Sequence, residues 1–322
     1  MTLFELSIII VNWNSKDYLR NCIASILANS FSIKYEIIVV DSASFDGCGD
    51  MLQHLYPQVH FIQSEFNVGF ARANNIGASC AHGNVLLFLN PDTEVRGHAI
   101  ENLYCHYQDL HSPGVVGCRL LNSDGTLQTS CVQPFPTILN QILDTDTLLR
   151  WFPKITLWNS ALTFDKVITP VTVEMISGAC MMIERDVFNK VGQFSADYFM
   201  YAEEFDLCYK TTMAGFNNYF VPTIEIIHYG GGSTQNERSC FSQVMMREAV
   251  FRQLRKTRGS LYSLGYRLAM SSTAVIRLTL LTLFFPVWLI NYQKRQWDKA
   301  FNKWFAIFRW SIGLEKSLHD YN

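Results

Sequence analysis

Val85–Glu94 reads VLLFLNPDTE, and this stretch decides the fold. Val85 to Leu89 is apolar without a break, which suits a strand buried on both faces of a parallel sheet. The run stops at Asn90-Pro91-Asp92. Pro91 has no N–H to give to a ladder, and it holds Asn90 extended. A buried strand therefore delivers Asp92 to its carboxyl end, the edge at which open α/β sheets bind ligands. Two readings of Asp92 stand at this point. It can hold a divalent cation that in turn holds a diphosphate, or it can cap the next helix, expected to start near Gly97.

Upstream, three more strands are expected: Leu6–Val11 (LSIIIV), Glu36–Asp41 (EIIVVD) and Val59–Gln63. Between them, Leu19, Cys22, Ile23, Ile26 and Leu27 repeat at helical spacing. A short helix follows the turn Ser42–Gly47, and another runs from Asn67-Val68-Gly69-Phe70 to about Ala81. The order β-α-β-α-β-α-β predicts a doubly wound, mostly parallel α/β sheet. Three of the four strands end in Asn or Asp: Asn12, Asp41 and Asn90-Pro91-Asp92. They share one edge and form a candidate polar cleft. There Trp13 can stack on a nucleobase, and Asp41 can accept from a base N–H or a ribose hydroxyl. Gly69 would let the backbone come close to a ligand. Each is also an ordinary turn residue, and only their recurrence on one edge favours a site.

Downstream the pattern is less regular. Val115–Leu121 is expected as a strand, followed by a hairpin-type turn at Asn122-Ser123-Asp124-Gly125. Gln133 to Pro170, rich in aromatics and prolines, reads as a loop or lid. Val173–Ile183 (VEMISGACMMI) reads as one strand containing Gly178, and a glycine within a strand permits close approach of a ligand. Tyr219–Val221 and Glu225–His228 read as two short strands. The loop Tyr229-Gly230-Gly231-Gly232-Ser233 comes next.

Two further groups can carry chemistry. Glu203 and Glu204 open a helix, where the macrodipole alone would favour them. Their neighbours Phe199, Met200, Tyr201 and Phe205 are apolar, a setting that suits a carboxylate as general base on a hydroxyl. Asp206 reads as structural. A lone histidine such as His228 is more often a satisfied core or surface residue than a ligand. As a metal ligand it needs Asp92 close in space.

The formal net charge is −2 over 322 residues, but it is unevenly spread. Arg247 to Arg309 holds twelve Lys/Arg against two acids, which implies an anionic partner for this part. Nine cysteines without a C-x-x-C pair read as reduced core thiols of a cytosolic protein. No signal peptide is expected. Leu268–Gln293 is long enough to consider as a membrane span. However, Arg277 and Pro286 interrupt it and both flanks are basic. Helices lying in the membrane interface fit better, with Trp288, Tyr292, Trp297 and Trp304 at headgroup depth. A packed helical appendage or a dimer contact is the plainer alternative. The absence of GxGxxG after a strand and of GxxxxGK[ST] argues against dinucleotide oxidoreductases and P-loop NTPases.

The stretches IIIVNWNS, VVDSASFDG, NVGFARANN, LFLNPDTEV, SGACMMIER, FMYAEEFDLC and IHYGGGS resemble the family 2 inverting glycosyltransferases of GT-A fold, in particular a rhamnosyltransferase-like subgroup. The likeness runs from about Leu6 to Ser233. It implies a GT-A domain over 1–240, with a nucleotide-binding half to about 95 and an acceptor half from about 96. A basic, aromatic helical region over 241–322 follows. By the resemblance, Val11, Asn12, Trp13, Asp41, Asn67, Gly69, Phe70, Asn75, Asn90 and Asp92 bind the nucleotide sugar. Gly178 and Glu203 stand on the acceptor or donor-sugar side. Glu204 is the base, and Asp92 with His228 holds Mg2+ or Mn2+. Asn90 replaces the first Asp of the common D-x-D motif, and Glu204 replaces the usual Asp of the acid pair. The Q-x-x-R-W motif of processive synthases is missing, which implies transfer of one or a few sugars. The expected donor is dTDP-rhamnose, with UDP-sugars next. The expected acceptor is a glycan or lipid-linked glycan of cell-surface polysaccharide synthesis. The expected place is the cytoplasmic face of the membrane, on anionic lipid, with no nucleic acid partner and room for a homo-oligomer. A catalytically silent scaffold that keeps the fold is the rival from another class.

Overall fold

The computed structural model describes residues 4–29, 31–143, 167–230, 240–286 and 294–314. Most of the expected lid (144–166), the glycine loop from 231, Trp288 and Tyr292 lie outside these residues. By packing, the chain forms two units. One comprises residues 1–135, 152–199 and 203–233, and the other 136–151, 200–202 and 234–322.

The first unit is built on β1 (Leu6–Asn12), β2 (Tyr35–Asp41), β3 (His60–Gln63) and β4 (Val85–Leu89). Every residue of β1 and β4 is buried, as unbroken apolar runs require. These four strands are parallel, in the order β3-β2-β1-β4. They are joined by α1 (Lys16–Leu27), α2 (Cys48–Leu55) and α3 (Gly69–Ser79). The register sets Asn12 beside Asp41, and Asp41 beside Gln63. The polar residues at the strand ends therefore do share one edge.

After β4 come β5 (Thr93–Val95), α4 (Ala99–Asp109), β6 (Pro113–Leu121), β7 (Val132–Gln133) and α5 (Ile138–Leu143). The stretch expected as one strand over Val173–Ile183 is broken. It yields the end of β8 (Val171–Val173), β9 (Met175–Ile176) and β10 (Cys180–Glu184). Each piece has its own partner: β8 pairs with the last strand, β9 with β7, and β10 with β4 and β6. Gly178 thus lies in the turn before β10 and not inside a strand. β10 is antiparallel to both neighbours, so its amino end meets the carboxyl end of β4.

Then follow α6 (Arg185–Lys190), α7 (Glu203–Met213) and β11 (Asn217–His228). β11 is one strand where two were expected. Its register with β6 slips between Val221 and Glu225, around Pro222, which cannot donate to a ladder. β11 runs parallel to β6 and antiparallel to β5, with His228 opposite Thr93.

The second unit contains α5 and three long helices: α8 (Cys240–Arg258), α9 (Ser260–Leu283) and α10 (Lys294–Ser311). Among the described residues no helix is long and apolar enough to cross a membrane. For Trp297 and Trp304 the expectation of a place at headgroup depth is corrected here. Trp304 is buried beneath the Arg277 guanidinium, which sits 4.3 Å from its ring. Trp297 donates to the Leu281 carbonyl at 2.9 Å and stacks on Phe301. Both residues are consumed in holding α9 to α10. All nine cysteines are free, and six of them are buried.

Candidate active site

At the ends of β1 and β2, Asn12 and Asp41 are fully buried. Asn12 donates to an Asp41 oxygen at 2.7 Å. Asp41 also accepts from the Gln63 side chain at 2.8 Å, the Ser44 N–H at 3.0 Å, the Phe45 N–H at 3.4 Å and the Ser44 hydroxyl. Although burial opposes its charge, these donors hold its carboxyl below the usual range. Its acceptors are thus spent on shaping the loop from Ser42 to Asp46, so a nucleoside group reaching Asp41 must displace Ser44 or Gln63. The sequence reading passed over Asp46, which lies in a run of turn residues. It accepts from Asn12 at 3.2 Å and from the Lys16 N–H at 2.9 Å, and so ties β1 to the start of α1. Asp41, Asp46 and Cys48 stand together as candidate metal ligands. Both carboxylates are already committed to hydrogen bonds, and burial and these acids push the Cys48 thiol well up. Val11 is buried beside them, and Trp13 is half-buried.

Three residues at α3 have a structural explanation the sequence did not offer. Gly69 has φ +77°, and a Cβ there would lie 2.3 Å from the Phe199 carbonyl oxygen. The close approach it permits is therefore by the protein's own backbone, with the Phe70 N–H donating to the same carbonyl at 2.9 Å. Phe70 packs edge-on against Phe194. Asn75 engages both ends of its amide with the Phe194 backbone, at 2.8 and 3.1 Å. Asn67 accepts from Ser42 and from the Gly69 N–H, both at 3.1 Å. This row anchors the segment that leads to α7.

The carboxyl end of β4 carries the second cluster. The Asn90 N–H donates to Ala179 at 3.0 Å, and the Tyr229 N–H donates to the Asp92 carbonyl at 2.9 Å. β5 and β11 thereby bring Asp92 Oδ1 within 3.3 Å of His228 Nε2. His228 Nδ1 lies 2.9 Å from Gln128 Oε1, an oxygen that can only accept. In the tautomer that donates from Nδ1 to this oxygen, Nε2 is an acceptor, 3.4 Å from the Asn90 amide nitrogen and on the Asp92 side of the ring. Gln128 is itself fixed, since its amide nitrogen donates to the His228 carbonyl and to Asn122 at 2.9 Å. The buried Asn90 Oδ1 finds no partner among the described residues. A carboxylate, an imidazole nitrogen and an amide oxygen form a donor set that fits a divalent cation. Gln128, a hundred residues before His228 in the chain and part of no motif, gave no sequence signal beyond its polarity.

Glu203 and Glu204 open α7, just after Tyr201 and Ala202 at φ +70° and +66°. Glu203 is buried and Glu204 half-buried, and each has one sealed carboxylate oxygen without a partner among the described residues. Burial pushes the Glu204 carboxyl up to about 7. Glu203 is raised as well, first by burial and then by the neighbouring Glu204 charge. Asp206 differs in its environment: it pairs with Lys210 at 2.9 Å and accepts from Ser195. Gly178 faces Glu204, with the position of an added Cβ 3.9 Å from the Glu204 Cβ. The turn at Ser177–Ala179 thus lies between Asn90 on one side and Glu204 on the other.

A mostly parallel sheet with an antiparallel β10, acids at its carboxyl edge and a helical C-terminal part give the chain a GT-A architecture. The chain belongs to glycosyl transferase family 2, whose model matches residues 7–192. It is 28% identical over 228 residues to a low-salt glycan biosynthesis hexosyltransferase of Haloferax volcanii, covering 70% of this chain and 67% of that one. It is 25% identical to the rhamnosyltransferase WbbL of Escherichia coli, over 78% of this chain and 93% of that one. An N-acetylglucosaminyl-diphospho-decaprenol L-rhamnosyltransferase of Mycobacterium tuberculosis is 24% identical, over 71% and 77%. Among solved structures, the Pyrobaculum calidifontis mannosyltransferase in complex with GDP-Man and Mn2+ shares the fold. Its TM-score is 0.59 at 14% identity, over 97% of this chain and 87% of that chain.

Proposed function

We propose that this chain is an inverting, metal-dependent, non-processive glycosyltransferase. It moves a sugar from a nucleoside-diphosphate donor to a hydroxyl of a glycan or lipid-linked glycan. Rhamnose on dTDP is the preferred donor and UDP-sugars are second. The names of the Escherichia coli and Mycobacterium tuberculosis relatives support the sugar, and the mycobacterial one also supports a lipid-linked acceptor. The protein works peripherally on the inner face of the cell membrane.

One observation carries the reading: Glu204 keeps a sealed carboxylate oxygen without a partner among the described residues, with its carboxyl pushed up to about 7. A scaffold has no use for so costly a group. Desolvation makes its ionised form a stronger proton acceptor, matched to neutral pH. Glu204 would take the proton of the acceptor hydroxyl as that oxygen attacks the anomeric carbon, and Glu203 would hold the sugar side. Gly178 leaves the space above Glu204 open for the acceptor. Asp92 and His228 would hold Mg2+ or Mn2+, which supplies charge neutralisation for the leaving diphosphate when bound. Asn12, Asp41 and the loop they shape, with Trp13, would receive the nucleoside. The test is transfer or hydrolysis with a panel of nucleotide sugars, reading the anomeric configuration of the product by NMR. Turnover with retained configuration would overturn the mechanism, and silence with every donor would favour the scaffold.

A further inference from the structure

Among the described residues, the helical unit leaves one long face of α9 exposed. Ser263, Tyr266, Met270 and Ala274 form its buried row, and the helix packs on α8 and α10. At about 100° per residue, the opposite row consists of Leu261, Leu264, Leu268, Val275, Ile276 and Leu283. All six are exposed, Leu261 at 87%, Leu268 at 62% and Leu283 at 68%. Ser272 and Thr279 fill the turns between, and no charge interrupts the row. It is about 33 Å long, and so continuous an apolar strip marks an interaction surface rather than scattered exposure.

The surrounding charge says what covers it. From Ala249 to Trp297 there is no Asp or Glu, against eight Lys/Arg. Arg255, Arg258, Lys294 and Arg295 near the two ends of α9 are exposed. We propose that this face of α9 lies on an anionic bilayer, with its apolar row at the acyl boundary and the cations among the headgroups. The proposal rests on the peripheral-membrane reading above and names the face that carries it. A second copy fits less well, because a twofold contact through this row would set like charges against each other. Of the aromatic residues first expected to touch the headgroups, Trp297 and Trp304 are packed between helices, so among the described residues the contact falls to the aliphatic row.

The full chain is mixed with phosphatidylcholine vesicles and with vesicles also containing phosphatidylglycerol, and bound protein is measured by flotation. The wild type is expected on the anionic vesicles and to be released in part by high salt. The triple variant L261E/L268E/L283E should lose about tenfold or more in partition. Met213→Glu, at a residue 67% exposed elsewhere, should bind as wild type, and all three proteins should melt alike. Undiminished binding by the triple variant overturns the assignment of the face while the peripheral reading stands. A wild type that binds neither vesicle overturns the peripheral reading and the proposal with it. A triple variant that stays on vesicles but changes from oligomer to monomer gives the row to a second copy and overturns the lipid face.

Discussion

Replacing Glu204 by Gln should stabilise the protein at alkaline pH while it destroys activity. Burial moves the Glu204 carboxyl from 4.5 to about 7. At roughly 1.4 kcal/mol per pKa unit, holding the ionised form folded costs about 3 kcal/mol. The sign follows from linkage. A raised folded pKa means that the folded chain binds more protons than the unfolded chain between about pH 4.5 and 7. Stability is therefore full below that window and falls as pH rises through it. Gln is nearly isosteric and never ionises, so the variant escapes the loss. Glu203 is raised with it, and the pair titrates in joint steps, so about 3 kcal/mol is the ceiling of the gain. Urea unfolding at about pH 5 should show little difference between wild type and variant, and at about pH 8 a gain of about 1–3 kcal/mol. Turnover should fall by roughly 10²-fold or more with donor binding kept, and wild-type kcat should rise through about pH 7 as Glu204 ionises. A variant that is equally destabilised at both pH values would refute the desolvated carboxylate. A large loss of turnover in Glu203→Gln with a mild one in Glu204→Gln would shift the base by one position.

Asp92→Asn should nearly abolish transfer, as should EDTA on the wild type, and full activity in EDTA would remove the metal from the mechanism. Gln128→Leu frees the His228 ring to turn, so Mn2+ affinity read by EPR without any sugar donor should weaken about 10–100-fold; unchanged affinity would confine Gln128 to loop packing. Gly69→Ala places a Cβ against the Phe199 carbonyl at positive φ and should destabilise by about 2 kcal/mol or more in urea. A neutral result there would mean that the segment from Phe194 to Phe199 moves away at little cost.

The sequence by itself determined the four parallel strands, because unbroken apolar runs such as Ile8–Val11 and Val85–Leu89 can only be buried on both faces. It also determined that Asn12, Asp41 and Asp92 share an edge, because parallel connections return every strand in the same direction. The acid pair was legible too, as charges within an apolar neighbourhood. Tertiary structure alone decided where polar atoms are spent. Asn75 and Gly69 carry a ligand-like pattern, yet they serve Phe194 and Phe199, more than a hundred residues away. Gln128 orients His228 from across a turn that no periodicity reports. The run from Val173 to Ile183 looks like one strand because apolar alternation is local, whereas its three pieces pair with different strands. The same holds for α9: its composition announced an apolar helix, but only packing fixed which row is buried and which is left exposed. Hydrophobic period is a property of neighbouring residues, and hydrogen-bond satisfaction is a property of the whole fold.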